Sequence, residues 1–144
     1  MIAAIRRPVG DDELGAALDL RRRVFCDEQG VPLALERDGR DATAMHLVAV
    51  DGSGAVVATC RLVRDGGAML LQRMAVERAA RGLGVGARLL DAAHAEAAAA
   101  GAREVELHAQ LAVRDFYARA GYAAEGPEFE EAGIVHVAMR RAVP

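Results

Sequence analysis

A glycine-rich turn between a buried strand and an amphipathic helix constrains this chain more than any other stretch. Residues 69–76 are almost wholly apolar, which indicates a buried strand. After a short polar link, Gly82, Gly84 and Gly86 alternate with larger residues, and a helical pattern begins at once. Glycines before a helix let backbone N–H groups approach a ligand, and the positive end of the helix dipole favours an anion. The turn therefore predicts a site for a phosphate-bearing small molecule.

Composition limits the class of protein further. The 144 residues predict a single domain spanning 1–144, and a net charge of −3 gives no reason to expect nucleic acid as a partner. Two cysteines, Cys26 and Cys60, are too few for a disulfide framework and are interpreted as packing residues. No signal peptide is visible, and no apolar run reaches the ~20 residues of a membrane helix. We therefore expect a cytoplasmic protein without a membrane partner.

The pattern along the chain predicts an α/β (α+β) fold with a mixed central sheet. Strands are expected at 2–7 (an edge strand), 46–50, 55–63, 69–76, 103–108, 122–125 and 134–139. Helices are expected at 12–28, in a short turn within 33–44, from the glycine turn to about residue 100, and at 113–120. Asp11 and Asp12 are predicted N-caps, and 127–133 is predicted to be an acidic loop. A three-strand meander followed by βαβ units implies about six to seven strands with helices on both faces.

Two nucleotide-binding interpretations of the glycine turn fail. A P-loop requires Gly-Lys-Ser/Thr, which the chain does not contain. Gly82, Gly84 and Ala87 fit the dinucleotide pattern G-x-G-x-x-G/A, but five residues (77–81) separate the first glycine from its strand. The chain also lacks the several βαβ units of a dinucleotide-binding domain. The phosphate-bearing ligand is therefore of another kind.

Several motifs together resemble the GNAT family of acetyltransferases. Residues 81–86, RGLGVG, match the family's acyl-CoA signature R/Q-x-x-G-x-G/A between a strand and a helix. FYARAGY (116–122) is similar to the family's FYxxxGF element. VFCDEQGVP (24–32), ELHAQ (106–110) and EEAGIVHVAM (130–139) resemble the ElaA-like branch. The motifs stand in the family's order and cover most of the chain, so the resemblance implies the GNAT acyl-CoA N-acyltransferase fold.

The resemblance implies where acetyl-CoA would bind. The backbone of the motif strand would pair with the pantetheine arm, in a splay between this strand and the next one. The turn would wrap the pyrophosphate, and Gln110 stands where family members often have an asparagine that contacts the cofactor. The implied cofactor-binding residues are Met74, Ala75, Val76, Arg81, Gly82, Leu83, Gly84, Val85, Gly86, Gln110 and Phe116.

The chemistry of acetyl transfer suggests two catalytic candidates. Tyr117 matches the family's general acid, and a phenol near the sulfur can donate a proton as the thiolate leaves. Packing against the cofactor is the alternative role for this ring. His108, at a strand end on a polar face, is the candidate base, with a surface role or a water chain as the alternative. No His/Cys/Asp spacing suggests a metal.

An acceptor site is expected between the end of the first helix, His108 and the acidic loop. The candidate substrate-binding residues are Phe25, Gln29, Glu128, Glu130 and His136. For Glu128 and Glu130 the competing interpretation is a solvated loop, and for His136 it is a structural histidine. Arg73, in the motif strand, is interpreted as an ion-pair partner.

The sequence thus predicts an N-acetyltransferase that moves an acetyl group from acetyl-CoA directly to a primary amine of a small molecule or peptide. One alternative is another acyl-CoA or an O-linked acceptor. The other is a CoA-binding regulatory module without turnover. Members of the family commonly dimerise, so a homodimer is among the expected partners.

Overall fold

Seven strands and four α-helices make up most of the chain, and the computed structural model describes all residues 1–144. The strands are β1 (Ile2–Arg6), β2 (Met45–Asp51), β3 (Val56–Asp65), β4 (Ala68–Val76), β5 (Glu104–Gln110), β6 (Ala123–Glu131) and β7 (Ile134–Ala142). The α-helices are α1 (Gly10–Arg21), α2 (Leu33–Glu36), α3 (Val85–Ala99) and α4 (Arg114–Arg119). All predicted elements are present in the predicted order, and their boundaries differ mainly around residues 10–12 and 123–133.

The strands form one mixed sheet in the order β1-β2-β3-β4-β5-β7-β6. Strands β1 to β4 are an antiparallel meander, whereas β4 and β5 are parallel and are connected through α3. The hairpin of β6 and β7 joins β5 through β7. Therefore β1 lies at one edge, as predicted, and β6 lies at the other.

Alternation along the strands divides the core between the two faces of the sheet. Leu47 and Ala49 of β2 belong to a large apolar cluster that includes α3, whereas Val48 and Val50 belong to a smaller cluster that includes α1. Because successive strand residues point to opposite faces, α3 and α1 cover opposite faces. These are called here the α3 face and the α1 face. The prediction of helices on both faces is confirmed.

The first helix begins without the predicted side-chain caps. Its N-cap residue is Val9, and both Asp11 and Asp12 lie within the first turn. The Glu13 carboxylate instead accepts hydrogen bonds from the Val9 backbone N–H (2.9 Å) and from Arg6 Nη2 (3.0 Å). The capping prediction is wrong because the helix starts earlier than the apolar periodicity indicates. The two aspartates still complement the positive end of the helix dipole.

The prediction of an acidic loop at 127–133 is also wrong, because most of these residues belong to strand β6. Gly126 and Pro127 indicate a break, but the pairing of β6 with β7 shifts register between Glu125 and Phe129 and then continues to Glu131. An edge strand tolerates proline, since its outward N–H needs no partner in the sheet. The hairpin turns at Ala132 and Gly133, which both have positive φ, as a tight two-residue turn requires.

A buried network of arginines and carboxylates holds residues 36–41 against the α1 face of the sheet. Arg21 and Arg61 are almost fully buried, and so is Glu36 at the end of α2. Arg21 Nε donates to Glu36 Oε2 (2.9 Å), and Arg73 Nε donates to the same oxygen (3.0 Å). The ion-pair role predicted for Arg73 is confirmed. The network consists of Arg21, Arg61, Arg73, Glu36, Asp38 and Asp41.

Candidate active site

The sheet opens at its centre, between β4 and β5. The two strands pair only at Ala68–Glu104, Met69–Val105 and Leu70–Glu106, and their remaining residues are not paired with each other. On the other side of β4, the register with β3 shifts between Thr59 and Arg61. Arg73 lies in this bulge with φ +58°, a left-handed conformation that is uncommon outside glycine. The bulge and the short ladder together leave the end of β4 free to offer its backbone to a ligand.

The glycine turn leads from the open end of β4 to α3. A 3₁₀ turn (Arg78–Ala80) comes first, and Gly82 and Gly84 follow with φ near +80°. A Cβ atom at either glycine would meet no heavy atom within 4 Å, so the space above the turn is open. Gly84 is the N-cap of α3, which has no side-chain cap. The first N–H groups of α3 are therefore free for an anion.

Gly86 serves a different purpose from the two glycines before it. A Cβ atom here would lie 3.3 Å from Phe116 Cζ and 3.9 Å from Val76 Cγ2. The position thus lets the start of α3 approach α4 and the end of β4 closely. The Phe116 ring meets the Tyr117 ring edge-on, with 5.0 Å between ring centroids.

Arg81 connects the glycine turn to the segment after α1. Its Nε donates to the Val76 carbonyl oxygen (2.9 Å), and its Nη2 donates to both carboxylate oxygens of Glu28 (2.9 and 3.0 Å). Glu28 ends a π-helical segment (Arg22–Glu28) that continues α1, and such segments frequently occur at functional sites. The contact therefore joins the end of β4 to the π-helical segment at the protein surface.

Tyr117 lies on the α3 face beside the opening. The residue is 8% exposed and packs in the large cluster with Leu107 and Ala109 of β5. Burial raises the pKa of its hydroxyl above the ordinary tyrosine value, so the phenol stays protonated at neutral pH. Burial likewise raises the pKa of the neighbouring Cys60 thiol to about 12, so this cysteine is protonated and inert, in agreement with its predicted packing role.

His108 lies on the opposite face, because it alternates with Leu107 and Ala109 along β5. Its side chain is half exposed, and its Nδ1 lies 2.9 Å from Glu131 Oε1. The Phe129 ring meets the imidazole edge-on at 5.0 Å. A histidine with one nitrogen fixed and the other side open can accept a proton from a ligand at this face.

Of the predicted acceptor residues, Gln29 and His136 lie near His108. Gln110 Nε2 donates to Gln29 Oε1 (2.9 Å), which joins β5 to the end of the π-helical segment. His136 pairs with Gln110 across β5 and β7, and its Nδ1 lies 2.7 Å from the Ile134 carbonyl oxygen. It is 6% exposed and stacks on Phe129. Phe25 is half buried and packs against the smaller cluster on the α1 face.

Neither of the two predicted acidic residues contacts His108. Glu130 pairs with Val135 and is exposed, and its neighbour Glu131 points the other way, toward His108. Glu128 is exposed within the register shift of β6. The sequence analysis placed Glu131 only in the acidic loop at 127–133 and did not predict its contact with His108. Its only signal was its place in the motif EEAGIVHVAM, and which of the two adjacent glutamates faces inward depends on the strand register.

A cavity of about 540 Å³ lies elsewhere, between the start of α1 and the start of β2, with Arg7, Thr43 and His46 in its lining. No residue of the glycine turn or of the β4–β5 opening lines it.

No helix of the structure is long and apolar enough to cross a membrane.

Comparison with known proteins identifies the fold and the class. The family described as acetyltransferase (GNAT) domain matches residues 9–143. The chain is 34% identical to the uncharacterized N-acetyltransferase YjcF of Bacillus subtilis, over 91% of this chain and 94% of that protein. An acyl-CoA N-acyltransferase from Pseudomonas aeruginosa is 31% identical and superposes with a TM-score of 0.85, over 96% of this chain and 98% of that one. Escherichia coli ElaA is 27% identical, with a TM-score of 0.86 over 98% and 99% of the two chains.

The fold and the site thus define an acyltransferase with the GNAT acyl-CoA N-acyltransferase fold. The chain belongs to the GNAT acetyltransferase family. The resemblance to the ElaA-like branch is confirmed as well.

Proposed function

We propose that the protein transfers an acetyl group from acetyl-CoA directly to a primary amine of a small molecule or peptide. The observation that carries this proposal is the opening between β4 and β5, with Tyr117 on one face of the sheet and His108 on the other. A thioester in this opening would have an acid on one side and a base on the other. Direct transfer is supported by the buried, protonated state of Cys60, which is a poor nucleophile.

The residues around the opening fit an acyl-CoA. The open space above Gly82 and Gly84, together with the uncapped start of α3, suits a pyrophosphate. The edge of β4 at Met74, Ala75 and Val76 has no strand partner on the β5 side and suits an amide-bearing arm, which would add to it like a strand and replace the contact of Arg81 with the Val76 carbonyl oxygen. The proposed contacts also include Arg81, Leu83, Val85, Gly86, Gln110 and Phe116. Acyl-CoA supplies the activated thioester carbonyl.

Each catalytic role follows from the state of the side chain. Burial raises the pKa of Tyr117 and keeps its hydroxyl protonated at neutral pH, so the hydroxyl can donate a hydrogen bond or a proton to the sulfur as the thiolate forms. His108 accepts the proton that the amine nitrogen loses as it bonds to the carbonyl carbon. The amine approaches on the α1 face, where Gln29 and His136 lie near His108 and Phe25 packs behind.

Glu128 and Glu130 are proposed to act on the acceptor by long-range electrostatic attraction. Both are exposed on β6 and neither contacts His108, so their contribution is to attract a cationic acceptor toward the site rather than to contact the reacting nitrogen. We also propose that the protein forms a homodimer and is located in the cytoplasm. Analytical sedimentation, which measures the oligomeric state, tests the homodimer.

An amine panel with a thiol-release readout tests the proposed function. We expect acceptor-dependent release of CoA with at least one class of primary amine, and acetyl-CoA binding in the absence of acceptor. Absence of acetyl-CoA binding would overturn the proposal altogether. Binding without turnover for any amine, with turnover for alcohols or longer acyl chains, would move the assignment to another acyl donor or acceptor.

A further inference from the structure

Glu131 is the one carboxylate that contacts the proposed base, and it does so from a different strand. Its Oε1 lies 2.9 Å from Nδ1 of His108. The tight turn at Ala132 and Gly133 follows Glu131 directly, so the residue is held at the end of the β6–β7 hairpin. Phe129, two residues earlier on the same face, supports the imidazole from its edge.

The contact determines which nitrogen of His108 carries the proton. An ionised carboxylate only accepts hydrogen bonds, so Nδ1 of His108 must donate to Glu131. In the neutral imidazole the lone pair then lies on Nε2, which no protein group contacts in the hydrogen bonds of the structure. Nε2 is therefore the nitrogen that is free to accept a proton from a ligand.

We propose that Glu131 is a positioning residue that holds His108 in the Nδ1–H tautomer and so makes Nε2 the general base. This inference rests on the proposed N-acetyltransferase function. In the transfer step, the amine nitrogen bonds to the thioester carbon and its proton passes to Nε2. The C–S bond breaks, its electron pair goes to sulfur, and the Tyr117 hydroxyl donates a proton to it. Glu131 accepts the Nδ1–H hydrogen bond throughout and stabilises the imidazolium that forms on His108.

The surroundings of the pair contain few competing partners. On the same face, Arg140 is engaged by Glu104, Glu106 and Glu125. His136 Nε2 lies 3.9 Å from Glu131 Oε2, while its Nδ1 donates to the Ile134 carbonyl oxygen. Glu131 thus lies between two imidazoles but is within hydrogen-bond distance of only His108.

A double-mutant cycle tests the coupling. We expect His108→Ala to lower kcat about 100-fold and Glu131→Ala to lower it about tenfold, both with little change in acceptor KM. Because Glu131 acts through His108, the double variant should be no slower than His108→Ala alone. If Glu131→Ala costs the same factor in both backgrounds, the positioning role is wrong. Glu125→Gln is the matched control, since it changes an exposed glutamate on the same strand that binds Arg140, and its kcat should be unchanged.

The tautomer of His108 can be measured directly by NMR without any substrate. In nitrogen-15 spectra at about pH 8.5, where an ordinary histidine is neutral, His108 should show a protonated Nδ1 and an unprotonated Nε2. Glu131→Ala should give a mixture of both tautomers. Glu131→Gln should retain the Nδ1–H form, because the amide oxygen still accepts, and should lose less kcat than Glu131→Ala. An unchanged tautomer in Glu131→Ala would overturn the proposal. This result does not depend on turnover, so it is separate from a failure to find an amine acceptor.

Discussion

Tyr117 and His108 lie on opposite faces of one sheet, on either side of the opening between β4 and β5. Tyr117 packs among residues of the α3 face, and His108 points from β5 to the α1 face. The acid and the base of the proposed reaction therefore cannot contact each other directly. A substrate that reaches both must pass through the opening, so the two proton transfers are separated by the substrate itself.

Removal of the Tyr117 hydroxyl should separate chemistry from binding. Tyr117→Phe keeps the ring packed against Phe116 and Tyr122, and we expect kcat to fall about 100-fold because the leaving thiolate loses its proton donor. Acetyl-CoA affinity, measured by calorimetry, should change little. The control is Tyr122→Phe, whose hydroxyl lies 2.7 Å from Nε2 of the buried His94 and does not face the opening. Equal losses of kcat in the two variants would contradict the general-acid role.

A side chain at Gly84 should block the cofactor's pyrophosphate. Gly84→Val places a branched side chain in the open space above the turn, at a residue with φ +81°. We expect at least a tenfold weaker affinity for CoA, and a loss of stability of about 1–2 kcal/mol from the backbone conformation.

The control for this variant is Gly54→Val, in the turn between β2 and β3. Gly54 has φ +88° and equally open surroundings, so its backbone cost should be similar. CoA affinity should be unaffected there. If both variants bind CoA as the wild type does, the glycine turn does not bind the pyrophosphate.

Loss of the buried Glu36 carboxylate should destabilise the fold strongly. Glu36→Ala removes one of the two carboxylates that the buried Arg21 contacts, leaving only Asp41, and it removes the carboxylate that binds Arg73 Nε. Breaking a buried ion pair from one side costs about 3–5 kcal/mol, and chemical denaturation measures this directly. Glu96→Ala, which breaks an exposed pair with Arg7, should cost less than about 1 kcal/mol. Similar costs for the two variants would show that the network contributes no more than a surface pair.

Stability should fall on acidification through His94. Arg141 Nη1 donates to Nδ1 of His94, and burial together with the nearby guanidinium lowers the pKa of the imidazole to about 4. Since the ordinary value is about 6.5, the unfolded chain binds the proton more readily between these two pH values. The contribution of neutral His94 is therefore complete above about pH 6.5 and is lost as the pH falls toward 4, by at most about 3 kcal/mol.

The comparison of wild type with His94→Gln isolates this contribution. Glutamine does not titrate, so the variant should lose less stability between pH 7 and pH 5 when both proteins are unfolded in urea. Parallel pH profiles would assign the acid sensitivity to other groups.

The sequence predicted those features that depend on local pattern. The strands of the meander follow from period-two alternation, and the glycine turn before α3 follows from the spacing of Gly82 and Gly84. Strand β6 was missed because Gly126 and Pro127 are typical of a loop, whereas pairing with β7 overrides them at the sheet edge.

Features that depend on distant partners could not be predicted from the sequence. The role of Glu131 depends on the pairing of β6 with the distant strand β7, which places residue 131 rather than residue 130 on the face of His108. The arginine–carboxylate network joins residues 15 to 37 positions apart, and its acidic members lie in a stretch that looks like a solvated loop. No local pattern reveals that Arg61 is fully buried.

The left-handed backbone of Arg73, in the β4 bulge beside the opening, is stabilised by contacts outside the sheet. A non-glycine residue in this conformation costs about 1–3 kcal/mol, and here the guanidinium offsets that cost by binding Glu36 and the Leu35 carbonyl. If these contacts were released, β4 could straighten into a regular strand and extend its ladder with β5. The passage between the two faces would then close, although neither Tyr117 nor His108 had changed. The bulge that borders the opening is therefore held by contacts with α2, a four-residue helix that carries none of the proposed reacting groups.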